Sequence, residues 1–337
     1  MQMIKTVNDA FNFFMLNYVD LDKQVVKAAR EDLSELLEKL KESSGKDFFV
    51  LYPDVNLHFG SFSRKTKCQP LNDIDVLIGI SAEGNTYDES SWNAITINPS
   101  EKSKKQQECK NQWSKLDSNK VLGLFKSKLK EICDLRVNEV IKNGEAISVQ
   151  FKAKSNDLNF DIVPCFFTKP QQDGRTYYLI SNRNGNWKKT DPRIDQSRVN
   201  RLVEKFGKIV LSSIRLFKYW TKHAKMITLD GYVMESLLLD YYEKVDEVNS
   251  YVHINFIRLL KYVYQNIGGR IYDPKQIEGD INNLTWQERI NVKEKVIKIY
   301  NKAIEARTAE KEENHIKAIN IWRDIFGEDF PQYEAWR

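Results

Sequence analysis

The sequence predicts an α+β fold in two parts, a mixed β-sheet with flanking helices followed by a helical bundle. Two patterns carry that prediction. Between residues 48 and 181, short segments alternate apolar and polar residues with the period of a half-buried strand, and Asn143-Gly144 joins two of them as a hairpin turn. From about residue 198 onward, apolar residues recur at helical spacing instead. The expected division is N-terminal helices at 1–45 packing on the core, a core at 46–200, and a helical part at 201–337 that closes a cleft.

At 337 residues the chain can build one large or two ordinary domains. It is 41% hydrophobic and 29% charged, the balance of a soluble globular protein. No apolar run approaches the ~18 residues of a membrane span. MQMIKTVNDAFNFFML carries an acid and no small-residue cleavage site, so no signal peptide is expected. The cysteines at 68, 109, 133 and 165 are too scattered for a metal motif or disulfide framework, which suits a reducing cytoplasm, and the histidines at 58, 223, 253 and 315 do not cluster with them. A net charge of +5 is compatible with an anionic nucleotide and is weak evidence for duplex binding.

Taken in order, 6–17 and 21–42 read as helices. In the second, Val25, Val26, Ala29, Leu33, Leu36, Leu37 and Leu40 form one face that should pack on the back of the sheet, and Ser43-Ser44-Gly45 stops it. FFVLYP (48–53) and VNLHF (55–59) lead as strand into Gly60-Ser61, and DIDVLIGI (73–80) is the next strand. Ser81 to Asp117 reads as a long polar insertion beside the cleft, locally helical around 101–114. A helix at 119–133, the hairpin RVNEVI (136–141) with EAISVQF (145–151), the strand LNFDIVPCF (158–166) and a short strand TYYLIS (176–181) follow. In the helical part, RLVEKFGKIVLSSIRLFKYWTKH (201–223) has a core face of Leu202, Phe206, Ile209, Val210, Phe217 and Trp220. Arg201, Lys205, Lys208, Arg215, Lys218 and Lys222 form a basic stripe on the other side, a pattern that most often marks a solvated face. Helices at 229–242, 251–266, 286–308 and 310–326 complete the chain, with Thr285 to Glu288 as a capping box.

The chemistry gathers in His58–Ile80. In a strand, residues i and i+2 project on one side, so Asp73 and Asp75 face a cleft while Ile74, Val76 and Ile78 face the core. Carboxylates that close repel one another unless a cation lies between them, and Mg2+ takes carboxylates together with phosphate oxygens. Gly60 lets backbone approach a phosphate, and Ser61 adds a hydroxyl donor. D-x-D alone equally describes an acidic turn before an ordinary strand; the upstream Gly-Ser is what separates the two readings. Asp161 is a lone acid inside an apolar strand, where an unpaired charge is costly, so it is assigned as a third carboxylate.

Gly60-Ser61, Asp73-x-Asp75 and a later Asp161 resemble the DNA polymerase beta-like nucleotidyltransferases. The extended GSFSRKT…DIDV, the TDP of NGNWKKTDP (184–192) and FKYW resemble the cGAS/DncV-like nucleotidyltransferases (CD-NTases) of bacterial CBASS anti-phage signalling. The resemblance covers about 48 to 326 and implies a polymerase beta-like core plus a poly(A)-polymerase/OAS-like helical domain. It implies catalytic and metal-binding roles for Asp73, Asp75 and Asp161, with two Mg2+ ions or Mn2+ in their place. It further implies nucleotide binding by Gly60, Ser61, Ser63, Arg64, Lys218 and Tyr232, with Lys218 on the triphosphate and Tyr232 stacked on a base. Relatives typically carry Ser-Tyr where this chain has Gly231-Tyr232, so no hydroxyl is available at 231; for Tyr232, a core aromatic is the competing reading. No zinc module of the DNA-sensing animal synthase is visible.

The implied function is condensation of nucleoside triphosphates (ATP, GTP or both) into a cyclic di- or trinucleotide second messenger, a cGAMP-like dinucleotide foremost. The implied partners are an effector protein that senses the product and a regulatory partner protein; no membrane partner is expected, and the location is cytoplasmic. QYEAWR lacks the terminal Gly or Ala expected for conjugation through the tail. Two alternatives remain open: a non-cyclising nucleotidyltransferase acting on RNA ends or protein, and a catalytically inactive nucleotide or RNA sensor.

Overall fold

The structure is a computed structural model that describes residues 3–133, 136–151, 158–224 and 230–334. Leu229, which opens the 229–242 stretch, and residues 335–337 of QYEAWR lie outside the described residues. The chain divides into two compact units: Lys23–Arg64 with Pro70–Gln196, and Met1–Asp22 with Lys65–Gln69 and Ser197–Arg337.

Helix α1 (Val7–Phe14) opens on a capping box, in which Thr6 Oγ1 accepts from the Asp9 amide at 3.1 Å and the Asp9 carboxylate accepts from the Thr6 amide at 3.2 Å. It runs into a π-helical turn at Met15–Val19. Helix α2 (Lys23–Glu42) buries Ala29, Leu33, Leu36 and Leu40. Strand β1 (Leu57–Phe59) passes directly into a single turn, α3 (Gly60–Ser63), before β2 (Asp73–Gly79).

The segment expected as a polar insertion has structure of its own: β3 (Thr86–Glu89) and β4 (Ile95–Asn98) form a hairpin, and α4 (Lys104–Glu108) supplies the local helix. Only Ile95 and Ile97 anchor that hairpin in the core, too brief an alternation to stand out among Ser, Asn and Lys.

Helix α5 (Ser118–Ile132), capped by Asp117, precedes the hairpin β5 (Val137–Asn143) and β6 (Ala146–Phe151), whose turn places Gly144 at φ +62°. Strands β7 (Leu158–Phe167), β8 (Tyr178–Ser181) and β9 (Trp187–Thr190) complete the sheet. Helices α6 (Pro192–Phe206) and α7 (Ile209–His223) divide what reads as one apolar face, because Gly207 at φ +80° leaves the helical region between them. Helices α8 (Gly231–Glu243), α9 (Val252–Asn266), α10 (Trp286–Lys311) and α11 (His315–Phe326) follow, and the Thr285–Glu288 capping box forms as expected.

The sheet runs β1-β2-β7-β8-β9-β4-β3. β2 and β7 are parallel, and the other pairs are antiparallel. The opposite edge of β7 is shared, β6 pairing along Leu158–Ile162 and β8 along Cys165–Phe167. Ile74, Val76, Ile78, Phe160 and Ile162 are buried, as the alternation requires.

The helical unit holds the larger apolar core, and α1 belongs to it. Phe11 and Phe14 pack their rings 4.9–5.8 Å from those of Trp322, Phe326 and Phe330. The expected grouping of both N-terminal helices with the sheet therefore needs correcting: the sheet unit contains α2 but not α1. An amphipathic stripe says that a helix packs, not on what.

Candidate active site

Two cross-strand rows of side chains define the site on one face of the sheet unit. Asp75 on β2 is the register partner of Asp161 on β7, which is in turn the partner of Ser148 on β6. One step along the strands lies the second row, Asp73, Asn159 and Gln150. Partnered residues share a face, and adjacent strands lie about 4.8 Å apart, so the backbone register alone brings the three carboxylates together. Asp73, Asp75 and Asp161 are each half-buried. Beyond them the same face becomes apolar, with Val55, Leu77, Val163 and Cys165 in one buried cluster. The carboxylates stand at the polar end of a dry floor.

Gly60 is part of this arrangement for a steric reason. It adopts φ +73°, and a Cβ built on it would lie 1.8 Å from Asp75 Oδ2 and 2.7 Å from Asp75 Cγ. The Asp75 side chain therefore occupies the space a side chain at 60 would fill. Ser61 follows in the same turn, half-buried. Ser63 has protein partners: its hydroxyl donates to the His58 carbonyl at 3.0 Å and lies 3.3 Å from Gln196 Oε1. Arg64 closes the turn and is 7% exposed.

Two further residues of this face were not among the expected site residues. The Ser148 hydroxyl, 3% exposed, donates to Asp161 Oδ1, and Asn143 Nδ2 lies 3.4 Å behind it. The Asn143-Gly144 turn sets Ser148 opposite Ile141 on β5; its place opposite Asp161 depends on the separate β6–β7 register. The second is Asn159, whose amide oxygen is buried without a hydrogen-bond partner.

Among the described residues, no three His, Cys, Asp or Glu side chains are gathered tightly enough to hold a metal ion as they stand. The donor chemistry nevertheless fits a hard cation: three half-buried carboxylates share one face, and an unpartnered carbonyl lies in the same two rows. Asp75 and Asp161 are direct register partners, and Asp73 is the register partner of Asn159 in the next row.

The remaining two expected residues belong to the helical unit. Lys218 on α7 forms an ion pair with Glu235 on α8, which is 1% exposed and also accepts from Thr66 Oγ1 at 2.8 Å. Arg215 donates to Asp20 Oδ1 and to the Lys65 carbonyl, each at 2.8 Å. Arg201, Lys205, Lys208 and Lys222 are solvent-exposed, so the stripe expected on a solvated face is solvated only in those four members. Replacing Lys218 by Met strands a buried carboxylate and is expected to destabilise the fold by about 3–5 kcal/mol. Adding Glu235→Gln should recover most of that loss in a melting experiment while leaving triphosphate affinity weak. A single Lys218→Met variant that melts like the parent would contradict the pairing.

Tyr232 lies in the first turn of α8, whose N-cap Asp230 accepts from the Tyr232 and Val233 amides at 2.7 and 3.2 Å. Its ring is half-buried against the helical core, its hydroxyl bonds Lys275 and lies 3.4 Å from Asp273, and Lys275 Nζ sits 4.2 Å from the ring centroid. Burial alone would raise the Asp273 carboxyl. Lys275 and the amides of Lys275 and Glu278 outweigh it and hold the group below the usual carboxylate range. A depressed carboxylate contributes stability above its unfolded pKa, so this tie is intact at neutral pH and is lost only in acid. One face of Tyr232 is thus a scaffold contact whatever the other face does. Tyr232→Ala is expected to lower the melting temperature, by about 1–3 kcal/mol for a half-buried ring, and to weaken nucleotide binding as well; Tyr232→Phe should retain both far better. A Cβ at Gly231 meets no atom within 4 Å, so a serine fits there without rearrangement.

No family model matches the chain. Among curated proteins it is 34% identical over 336 residues to a probable cyclic nucleotide synthase of Bacillus cereus (strain VD146), covering 98% of this chain and 100% of that protein. Its fold is similar to that of solved structures of CdnC from E. coli MS115-1. In a complex with HORMA-deltaN that protein is 17% identical, with a TM-score of 0.67. With ATP it is 18% identical, with a TM-score of 0.68. Both matches cover 96% of this chain and 98% of the other.

Proposed function

Since the chain belongs to the cGAS/DncV-like nucleotidyltransferases (CD-NTases), we propose that it condenses nucleoside triphosphates into a cyclic di- or trinucleotide and expels pyrophosphate. A cGAMP-like dinucleotide made from ATP and GTP is the product we favour. The setting we propose is the cytoplasm, in CBASS anti-phage defence, where an effector protein senses the product. No helix among the described residues is long and apolar enough to cross a membrane. ATP as a substrate and a regulatory partner protein are carried into this proposal from the CdnC structures, solved with ATP and with HORMA-deltaN.

The observation that carries the proposal is the register of β2 with β7, which sets Asp75 beside Asp161 with Asp73 two residues earlier. Two Mg2+ ions, or Mn2+ in their place, would be held by Asp73, Asp75 and Asp161 and would supply activation of the attacking hydroxyl and neutralisation of the departing pyrophosphate. Gly60 keeps the space over β1 clear for the Asp75 carboxylate, and the Ser61 hydroxyl donates to the β- or γ-phosphate. Asp161, steadied by Ser148, is nearest the attacking 2′ or 3′ hydroxyl and accepts its proton. By the resemblance, Lys218 would serve the triphosphate and Tyr232 would stack on a base when nucleotide is bound. Ring closure repeats the same transfer on the linear intermediate, turned so that its free hydroxyl occupies the attacking position.

Incubation with labelled ATP, GTP, CTP and UTP followed by phosphatase separates the readings. A labelled product that phosphatase leaves entirely unchanged, with no terminal phosphate to remove, supports cyclisation. Labelled product only when RNA is added supports end modification, and no product at all supports a sensor.

A further inference from the structure

We infer that Asn159 is a fourth oxygen donor of the carboxylate site, its amide carbonyl serving the hydrated divalent cation that Asp73 helps to hold; this rests on the metal reading above. Asn159 lies on β7 in direct register with Asp73 on β2, two residues before Asp161 and on the same face. Its Oδ1 is buried and makes no hydrogen bond, and the Gln150 side chain, its register partner on β6, does not satisfy it. Buried acceptors are nearly always paired, so an orphan on this face marks a partner that the polypeptide does not supply.

The neighbours narrow what that partner is. Asp73 is an acceptor and, when ionised, has no hydrogen to give. Two acceptors side by side call for a group that is positive, rich in donors, or both. A hydrated divalent cation is both, and Mg2+ keeps several of its waters when bound by carboxylates. The amide differs from a fourth carboxylate in one useful respect: it adds an oxygen without adding a further negative charge to three that already repel.

The test is calorimetric titration of the full chain with Mn2+, without nucleotide, together with melting of the metal-free protein. Asn159→Leu removes the orphaned carbonyl at similar volume. The metal-free variant is expected to melt at or above the parent temperature, while its Mn2+ dissociation constant rises about tenfold or more. Asn159→Asp restores an oxygen and should keep Mn2+ affinity at or above that of the parent, at the cost of a lower metal-free melting temperature. A purely structural asparagine predicts the opposite: Asn159→Leu melts lower and binds Mn2+ as the parent does. Should the leucine variant be insoluble, Asn159→Ala is read by the same two measurements.

Asp75→Asn is the control for the underlying reading. If it loses Mn2+ binding while Asn159→Leu keeps it, the role of Asn159 is overturned and the carboxylate site stands. Undiminished Mn2+ binding in both variants overturns the two together.

Discussion

Replacing Asp73 and Asp75 together by asparagine is expected to leave the fold standing and to lower the rate of nucleotide condensation at least about 10²–10³-fold. At ~1.4 kcal/mol per decade, that corresponds to losing several kcal/mol of charge stabilisation at the reacting phosphate. The fold should survive because both side chains are half-buried at the polar end of the sheet face, and Ile74, Val76 and Leu77, which anchor β2, are untouched. Asparagine keeps the shape and removes the charge. Melting curves and turnover measured on the same preparation decide the matter, and a folded double variant with full activity would remove these residues from the site.

Gly60→Ala is expected to come close to that loss while changing no charge. The positive φ costs an L-residue about 1–2 kcal/mol, a modest fall in melting temperature. The larger effect is steric: a methyl group cannot stand 1.8 Å from Asp75 Oδ2, so the carboxylate must swing out of its place beside Asp161. The variant should therefore remain folded, lose most of its turnover and bind Mn2+ poorly. A Gly60→Ala enzyme with parental turnover would mean that Asp75 works from another rotamer, and the steric account of Gly60 would fall.

How much of this was legible in the sequence differs from element to element. DIDV and LNFDIV declared themselves because two-residue alternation fixes which side chains share a face. A lone acid in an otherwise apolar strand is also conspicuous. Register between strands distant in the chain is not written locally: nothing near Asp75 says that it pairs with residue 161. The resemblance supplied the expectation that Asp161 joins Asp73 and Asp75, and the β2–β7 pairing sets it in register with Asp75. Ser148 was hidden for the same reason, since its place opposite Asp161 depends on the β6–β7 register, and the orphaned carbonyl of Asn159 was hidden because an asparagine in a strand does not announce whether its amide is satisfied.

The largest misreadings concern what packs against what. In the basic stripe that runs over α6 and α7, Arg215 and Lys218 form ion pairs with Asp20 and Glu235, acids far from them in sequence. The helix α1 shows a clear apolar face, but its partners are Trp322, Phe326 and Phe330 at the far end of the chain. Long-range choices of this kind depend on shape complementarity between complete elements, which periodicity does not encode.

The most direct test of the central claim, that Asp73, Asp75 and Asp161 drive ring-closing nucleotide condensation, is a stoichiometry. Pyrophosphate released is measured against nucleotide incorporated into product, for the parent enzyme and for Asp161→Asn. Every bond formed expels one pyrophosphate, and a ring has as many bonds as nucleotides. The parent should therefore release one pyrophosphate per incorporated nucleotide, and Asp161→Asn almost none. A ratio of one-half, the value for a linear dinucleotide, or an Asp161→Asn variant that matches the parent, would contradict the account.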